Sequence, residues 1–308
     1  MNEKINLFKK FALASTAATY LLIFIGGLVR VSGAGLGCPD WPKCFGRWIP
    51  PLSYDQIPVG FNVSNFNITL AWIEYINRLA GMITGLLILV TALLAIKNFR
   101  RTKQIIIPSI LAAILVAFQG WYGSVVVKTQ LMPETVSVHM LLALTIVSLL
   151  IYVTHNAYHF TTDKSVHKIV PQKKWLLYLW VISVIQILLG TGMRSQIEIT
   201  WDQYPLLLAS EVLSRIGTIS FLHIFLGIIL AILTAMISQK ILKSEKLSLI
   251  SRQSVWLLFI LIIIQLLIGL SLQFIGLPPF LQVFHLWIAS IFIGVILILY
   301  TELKYQEE

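Results

Sequence analysis

Charge is what this sequence is short of. Only 12% of its 308 residues are charged, against 57% hydrophobic, and the apolar residues fall in long continuous runs between short polar connectors. None of these runs shows the period-2 alternation of transmembrane β-strands, so a closed barrel is excluded. Cysteine is scarcer still. There are two, Cys38 and Cys44, and their C-x5-C spacing matches neither the thioredoxin-like nor the usual zinc pattern. Ahead of the first apolar run there is no Arg- and Ser-rich amphipathic leader and no small-residue cleavage site. That run is therefore expected to remain in place as a helix.

What is present reads as an all-α integral membrane protein. Eight runs reach the roughly 20 residues that cross a bilayer as helix: about 11–30, 69–96, 105–127, 134–156, 174–194, 213–239, 254–275 and 279–301. The formal charge of +10 follows the connectors. Lys4, Lys9 and Lys10, then Lys97, Arg100, Arg101 and Lys103, then Lys164, Lys168, Lys173 and Lys174, then Lys240, Lys243, Lys246 and Arg252 all fall on one side. Arg30, Lys43, Arg47, Lys128, Arg194 and Arg215 are the chief cations of the other. By the positive-inside rule both termini are expected in the cytoplasm, with a bacterial plasma membrane as the simplest setting. The excess charge marks topology, and no nucleic acid is expected as a partner.

An internal repeat organises the chain. A shift of 146 positions lays Gln119 on Gln265, Gly123 on Gly269, His139 on His285, Gly81 on Gly227 and Asn77 on His223. A shift of 164 lays Gly26 on Gly190 and Arg30 on Arg194, the difference being extra length in the long loop after the first span. The expected architecture is eight transmembrane helices in two tandem four-helix bundles, 1–160 and 161–308, in the same membrane orientation because four spans separate equivalent helices. The long loop carries Cys38 and Cys44 on the outer side. There they either close a disulfide worth about 2 kcal/mol on the chain-entropy estimate or act as a redox-active or ligand-binding pair.

Two groups of residues carry candidate chemistry. Glu74, Asn77 and Arg78 stand at i, i+3 and i+4 of the second span, so they share a helical face. A carboxylate inside a membrane helix is either a functional group or half of a tolerated ion pair, here with Arg78. His139, His223 and His285 lie a few residues inside the outer ends of spans four, six and eight. His223 and His285 are expected to face each other across the second bundle, as helices do when they hold a cofactor. Two neutral imidazoles in an apolar slot suit a haem iron better than zinc, which takes three or four ligands. Arg194 and Arg215, at outer helix ends, either pair with haem propionates or snorkel to the interface. His155, His159 and His167 are expected to be solvated or interfacial.

The stretches GGLVRVSGAGLGCPDWPKCFG and WIEYINRLAG, the patch Gln119-Gly-Trp-Tyr-Gly123 and the histidines of spans four, six and eight together resemble the heme A synthase family over essentially the whole chain. The resemblance implies two four-helix halves that each hold a haem, with a resident haem b in the second and the substrate haem O in the first. It implies oxidation of a haem O methyl group to a formyl group, giving haem A for terminal oxidases. It further implies that His223 and His285 ligate haem b, that His139 faces the substrate iron beside Asn77 and Arg78, that Glu74 is the catalytic carboxylate, and that Cys38 and Cys44 are the outer cysteine pair. Haem O synthase, a membrane electron donor or acceptor, membrane lipid and a second copy of the chain are the partners such an enzyme would meet.

This sequence departs from the family pattern at one place. Many members carry His where Asn77 stands, so either the substrate iron is held by His139 alone with an open or water-filled axial position, or another group moves in. The repeat partner of Glu74 is Ser220, which leaves the first half alone with a carboxylate. A di-haem cytochrome b-type electron carrier is the competing reading and a haem transporter a third. The carrier would explain neither the one-sided carboxylate nor the missing fourth histidine.

Overall fold

The computed structural model describes residues 2–62, 66–160, 173–244 and 247–305. Its helices are α1 (Asn2–Val31), α2 (Ile68–Asn98), α3 (Lys103–Lys128), α4 (Pro133–His159), α5 (Lys173–Gln203), α6 (Ala209–Arg215), α7 (Gly217–Leu242), α8 (Leu249–Ile275) and α9 (Pro279–Tyr305). All but the short α6 are long and apolar enough to cross a membrane. Among the described residues there is no strand. Lys164, Lys168, Lys246 and His167 lie outside the described residues.

The helices outrun the apolar stretches that announce them. Residues 2–10 and 195–203 are polar, yet they contain neither Gly nor Pro, so nothing interrupts the backbone hydrogen bonds until Pro205 stops α5. The span expected at 213–239 is corrected in a different way. It divides at Ile216 into α6 and α7, with Gly217 at φ +20°, a conformation a Cβ disfavours. Helix starts follow local chemistry: Asn67 Oδ1 accepts from Leu70 N at 3.2 Å at the head of α2, and Ser248 Oγ from Ser251 N at 3.1 Å at the head of α8.

Helices α1 to α4 each pack on the next, and α1 also meets α4, which closes one ring; α5, α7, α8 and α9 close a second in the same way. The seam between the rings is made by α9 against α1 and α4 and by α4 against α5, with Leu144, Val184, Ile187 and Ile293 buried in it. At Gly294 a Cβ would collide with the Tyr20 hydroxyl, so glycine is what lets α1 and α9 approach, as small residues do in membrane packing. Trp287 Nε1 donates to Tyr20 O at 2.9 Å across that contact. Buried hydroxyls pair elsewhere, Ser15 with Thr91 at 2.9 Å and Thr16 with Thr154 at 3.0 Å. The outward faces remain apolar, with Leu86, Leu89, Leu93, Ile114 and Phe118 exposed, as a lipid-facing surface requires.

The loop between α1 and α2 carries its own small core. Cys38 and Cys44 are joined in a disulfide, and both are buried with Phe45, Phe66 and Ala71. The loop sits so close to the head of α2 that a Cβ on Gly37 would fall 2.8 Å from Ala71 N. Peptide mapping of non-reduced, alkylated protein should yield the linked Cys38–Cys44 pair, and reduction should cost about 2 kcal/mol of stability, read as a lower unfolding temperature. Two freely alkylated thiols in protein kept oxidising would contradict this.

Candidate functional site

Three histidines inside the rings are held by one device. Gln119 Nε2 donates to the backbone carbonyl of His139 at 3.0 Å, Gln186 Nε2 to that of His223 at 2.8 Å, and Gln265 Nε2 to that of His285 at 2.8 Å. Each glutamine precedes by four residues a glycine on the same face of its helix. A Cβ on Gly123, Gly190 or Gly269 would stand 3.7, 3.1 or 3.5 Å from the Cε1 of the respective histidine. The glycine admits the imidazole edge against the neighbouring helix and the glutamine pins the turn that bears it. Two of these pairs are visible in the repeat. The third, Gln186 with Gly190, was legible as a Q-x3-G pattern shared with Gln119 and Gln265.

The ring centroids of His223 and His285 are 6.2 Å apart, with planes at 67°. Two imidazoles bound to opposite faces of one iron, with metal–nitrogen bonds of about 2 Å, would have centroids about 6 Å apart. The Nδ1 atoms of His139, His223 and His285 are buried and have no hydrogen-bond partner, which marks a polar arrangement incomplete by itself. The pair therefore fits a haem iron. It does not fit zinc, since the one group of three metal-ligating side chains among the described residues lies elsewhere.

The acidic side is built differently. Glu74 is 4% exposed; its Oε2 accepts from Cys38 N at 2.7 Å, and its Oε1 from Arg78 Nε at 3.1 Å and also from Arg78 Nη2. Arg78 Nη1 in turn donates to the carbonyls of Asp40 and Lys43, both at 2.8 Å. Glu74, Arg78 and the disulfide loop are thus one assembly at the head of α2. The ion pair with Arg78, one of the two readings of Glu74 that the sequence leaves open, is present in the structure.

Asn77 is half-buried on that face. The histidine clamp is missing around it in a consistent way: where Gln186 Nε2 lies 3.2 Å from a Cβ built on Gly227, Leu22 Cδ2 lies 4.0 Å from one built on Gly81. Under the 164-residue shift Leu22 corresponds to Gln186, so this quarter lacks both the histidine and its glutamine. Arg194 and Arg30, paired in the repeat, meet on one carboxylate. Arg194 Nη2 reaches Glu198 Oε1 at 3.0 Å and Arg30 Nη2 pairs with Glu198 Oε2, which leaves an excess positive charge at the outer ends of α1 and α5. Arg215 lies apart from this group in α6, exposed, with its guanidinium 4.4 Å above the Tyr204 ring.

The expectation that His155 and His159 are solvated or interfacial is corrected. Their side chains are 9% and 15% exposed and both meet the buried carboxylate of Glu302. The signal was an i, i+4 histidine pair near the end of one span and a lone acid near the end of another. The reason is that α4 and α9 continue beyond their apolar stretches and pack together there.

Replacing Arg78 with Met should leave Glu74 buried without its counter-charge and detach the loop carbonyls. The expected cost is about 3 to 5 kcal/mol, read by thermal unfolding in detergent, with Lys only partly restoring it because one ammonium cannot reproduce the forked contacts. An unchanged unfolding temperature in the Met variant would remove the pair from the account.

Comparison with known proteins agrees with this geometry. The chain is 24% identical over 325 residues to a heme A synthase of Rickettsia prowazekii, covering 95% of this chain and 96% of that one. It is 25% identical over 312 residues to a heme A synthase of the Wolbachia of Brugia malayi, covering 89% and 90%. With a heme A synthase of Shewanella oneidensis the identity is 33% over 178 residues, covering 56% of this chain and 52% of the relative. The family model described as cytochrome oxidase assembly protein matches residues 9–297, so the chain belongs to the COX15-CtaA family.

Proposed function

We propose that this chain is a heme A synthase, a membrane oxidoreductase that converts a methyl group of haem O to a formyl group and so supplies haem A for terminal oxidases. The observation that carries the reading is an asymmetry: three histidines with glutamine clamps, two of them facing each other in one ring, and in the other ring the buried carboxylate of Glu74 at the head of α2, whose repeat partner in the ring of the facing histidines is Ser220. Residues 161–308 form the half that keeps a resident haem b between His223 and His285. Residues 1–160 form the half that receives haem O, with its iron towards His139. When bound, haem b supplies a one-electron redox centre. Both termini lie in the cytoplasm of a bacterium, with the disulfide loop outside.

The chain's own residues then have separable tasks. The glutamine clamps fix the helical turn that bears each histidine, and the glycine one turn along leaves room for its ring, so part of the orientation entropy is lost before the haem arrives. The apolar bundle interior excludes water. Glu74 is held by Arg78 and Cys38 N in a fixed direction. Oxidation of a methyl group withdraws electrons from the edge of the macrocycle, and a fixed carboxylate in a low-dielectric site stabilises the positive charge that develops or accepts the proton that leaves. Asn77 and Arg78 border the substrate half. Arg30 and Arg194 carry an excess positive charge suited to propionates, whereas Arg215 is engaged with Tyr204 and is the weakest of the sequence-derived candidates.

A di-haem electron carrier would need two equivalent haem sites. Asn77 and Leu22 at the positions that correspond to His223 and Gln186 in the repeat speak against that. The test is Glu74→Gln, which retains an oxygen to accept from Cys38 N or Arg78 and removes the charge. It should keep the resident haem spectrum, which reports the fold in the same sample, and should abolish haem A formation as read by extraction and chromatography. Haem A made at the parental rate would overturn the role of Glu74.

A further inference from the structure

At the lysine- and arginine-rich end of the molecule, at the far ends of α4 and α9 from His139 and His285, three side chains converge that the reaction does not use. His155 and His159 stand one turn apart on α4, and Glu302 comes from α9. Both His155 Nε2 and His159 Nε2 lie 2.9 Å from the same atom, Glu302 Oε2. We propose that His155, His159 and Glu302 form a binding site for zinc(II) or a divalent ion of the same borderline class, which fastens α4 of the first ring to α9 of the second.

Several features argue for an ion at this place. Two histidines at i, i+4 on one helical face present their ring nitrogens to a common point, the spacing by which helices offer two imidazoles to zinc. The three donor atoms lie within 4.8 Å of one another, and ligand atoms around a tetrahedral zinc are about 3.3 Å apart, so only small shifts are needed to admit the ion. Two nitrogens and one carboxylate oxygen, with no thiolate, suit zinc and its neighbours better than calcium or magnesium, which take mostly oxygen. The carboxylate is also supported from behind: Ser248 Oγ donates to Glu302 Oε1 at 2.8 Å, leaving Oε2 for the histidines. Tyr305 packs its ring 4.6 Å from that of His159 and donates to the His159 carbonyl at 2.9 Å. A cavity of about 280 Å³, lined among others by Tyr152, Asn156, His159 and Lys304, adjoins the cluster. It provides an entry path and room for a water as fourth ligand.

Binding needs a lone pair on each Nε2, so each imidazole must carry its proton on Nδ1. His159 Nδ1 is buried without a hydrogen-bond partner and is free to take it.

The experiment uses tag-free, full-length protein in detergent, stripped with chelator and dialysed against micromolar zinc(II). Elemental analysis after gel filtration should find one zinc per chain, and zinc should raise the unfolding temperature. Cobalt(II) in its place should give the visible bands of a low-coordinate site. The variants His155→Asn with His159→Asn, and separately Glu302→Gln, should lose the bound zinc and the temperature shift, while helix content by circular dichroism reports that they fold. A parent protein that retains no zinc, or variants that fold and retain it equally, would overturn the site. If the variants fail to fold, competition between the parent protein and a chromophoric chelator decides the matter, with no measurable competition counting against it.

Discussion

A hydrogen bond from a glutamine amide to a histidine's backbone carbonyl is a modest interaction, yet the arrangement of this protein depends on its being made three times. In a membrane helix each carbonyl already accepts from the N–H four residues on, and only its second lone pair is available. A glutamine on the adjacent helix takes that lone pair at His139, His223 and His285, and a glycine one turn along the same helix lets the ring lie against it. Helix spacing and the place of the ring against the neighbouring helix are thereby set together. A side chain at Gly190, where the clearance is 3.1 Å, would disturb both at once.

The fourth quarter of the molecule shows what happens when the device is absent. In the repeat register Asn77 stands opposite His223 and Leu22 opposite Gln186, so this quarter has neither the histidine nor its glutamine. The same helix instead carries Glu74, which is tied by Arg78 and Cys38 N to the disulfide loop. A carboxylate alone at this depth would be costly. Its cost is offset by the guanidinium and by a backbone N–H presented by a loop that the disulfide keeps compact. The position of Glu74 thus rests on Arg78, one turn along the same helix, and on Cys38, 36 positions away in the chain.

Much of this was legible in the sequence. Eight spans and the connectors between them follow from hydropathy alone, because lipid leaves the backbone so few choices. The spacing of His139, His223 and His285 was readable from the repeat. Other features depend on tertiary contacts that no local pattern encodes. The helical extension through residues 195–203 came from the absence of a breaker and not from any apolar signal. The split at Gly217 placed Arg215 on α6, away from the histidines' helix, and the burial of His155 and His159 required α9 to arrive beside α4. The third Q-x3-G pattern was present in the text of the sequence but carries meaning only once α5 is known to pack on α7.

The central claim is that one ring offers an iron two imidazoles and the other offers it one. Low-temperature electron paramagnetic resonance on the oxidised, full-length protein loaded with haem O tests this directly. The account predicts one low-spin ferric signal from the His223 and His285 site together with one high-spin signal from the haem facing His139. Two low-spin signals with no high-spin component would contradict it, since they would require a second strong ligand in the first ring where Asn77 and Leu22 provide none.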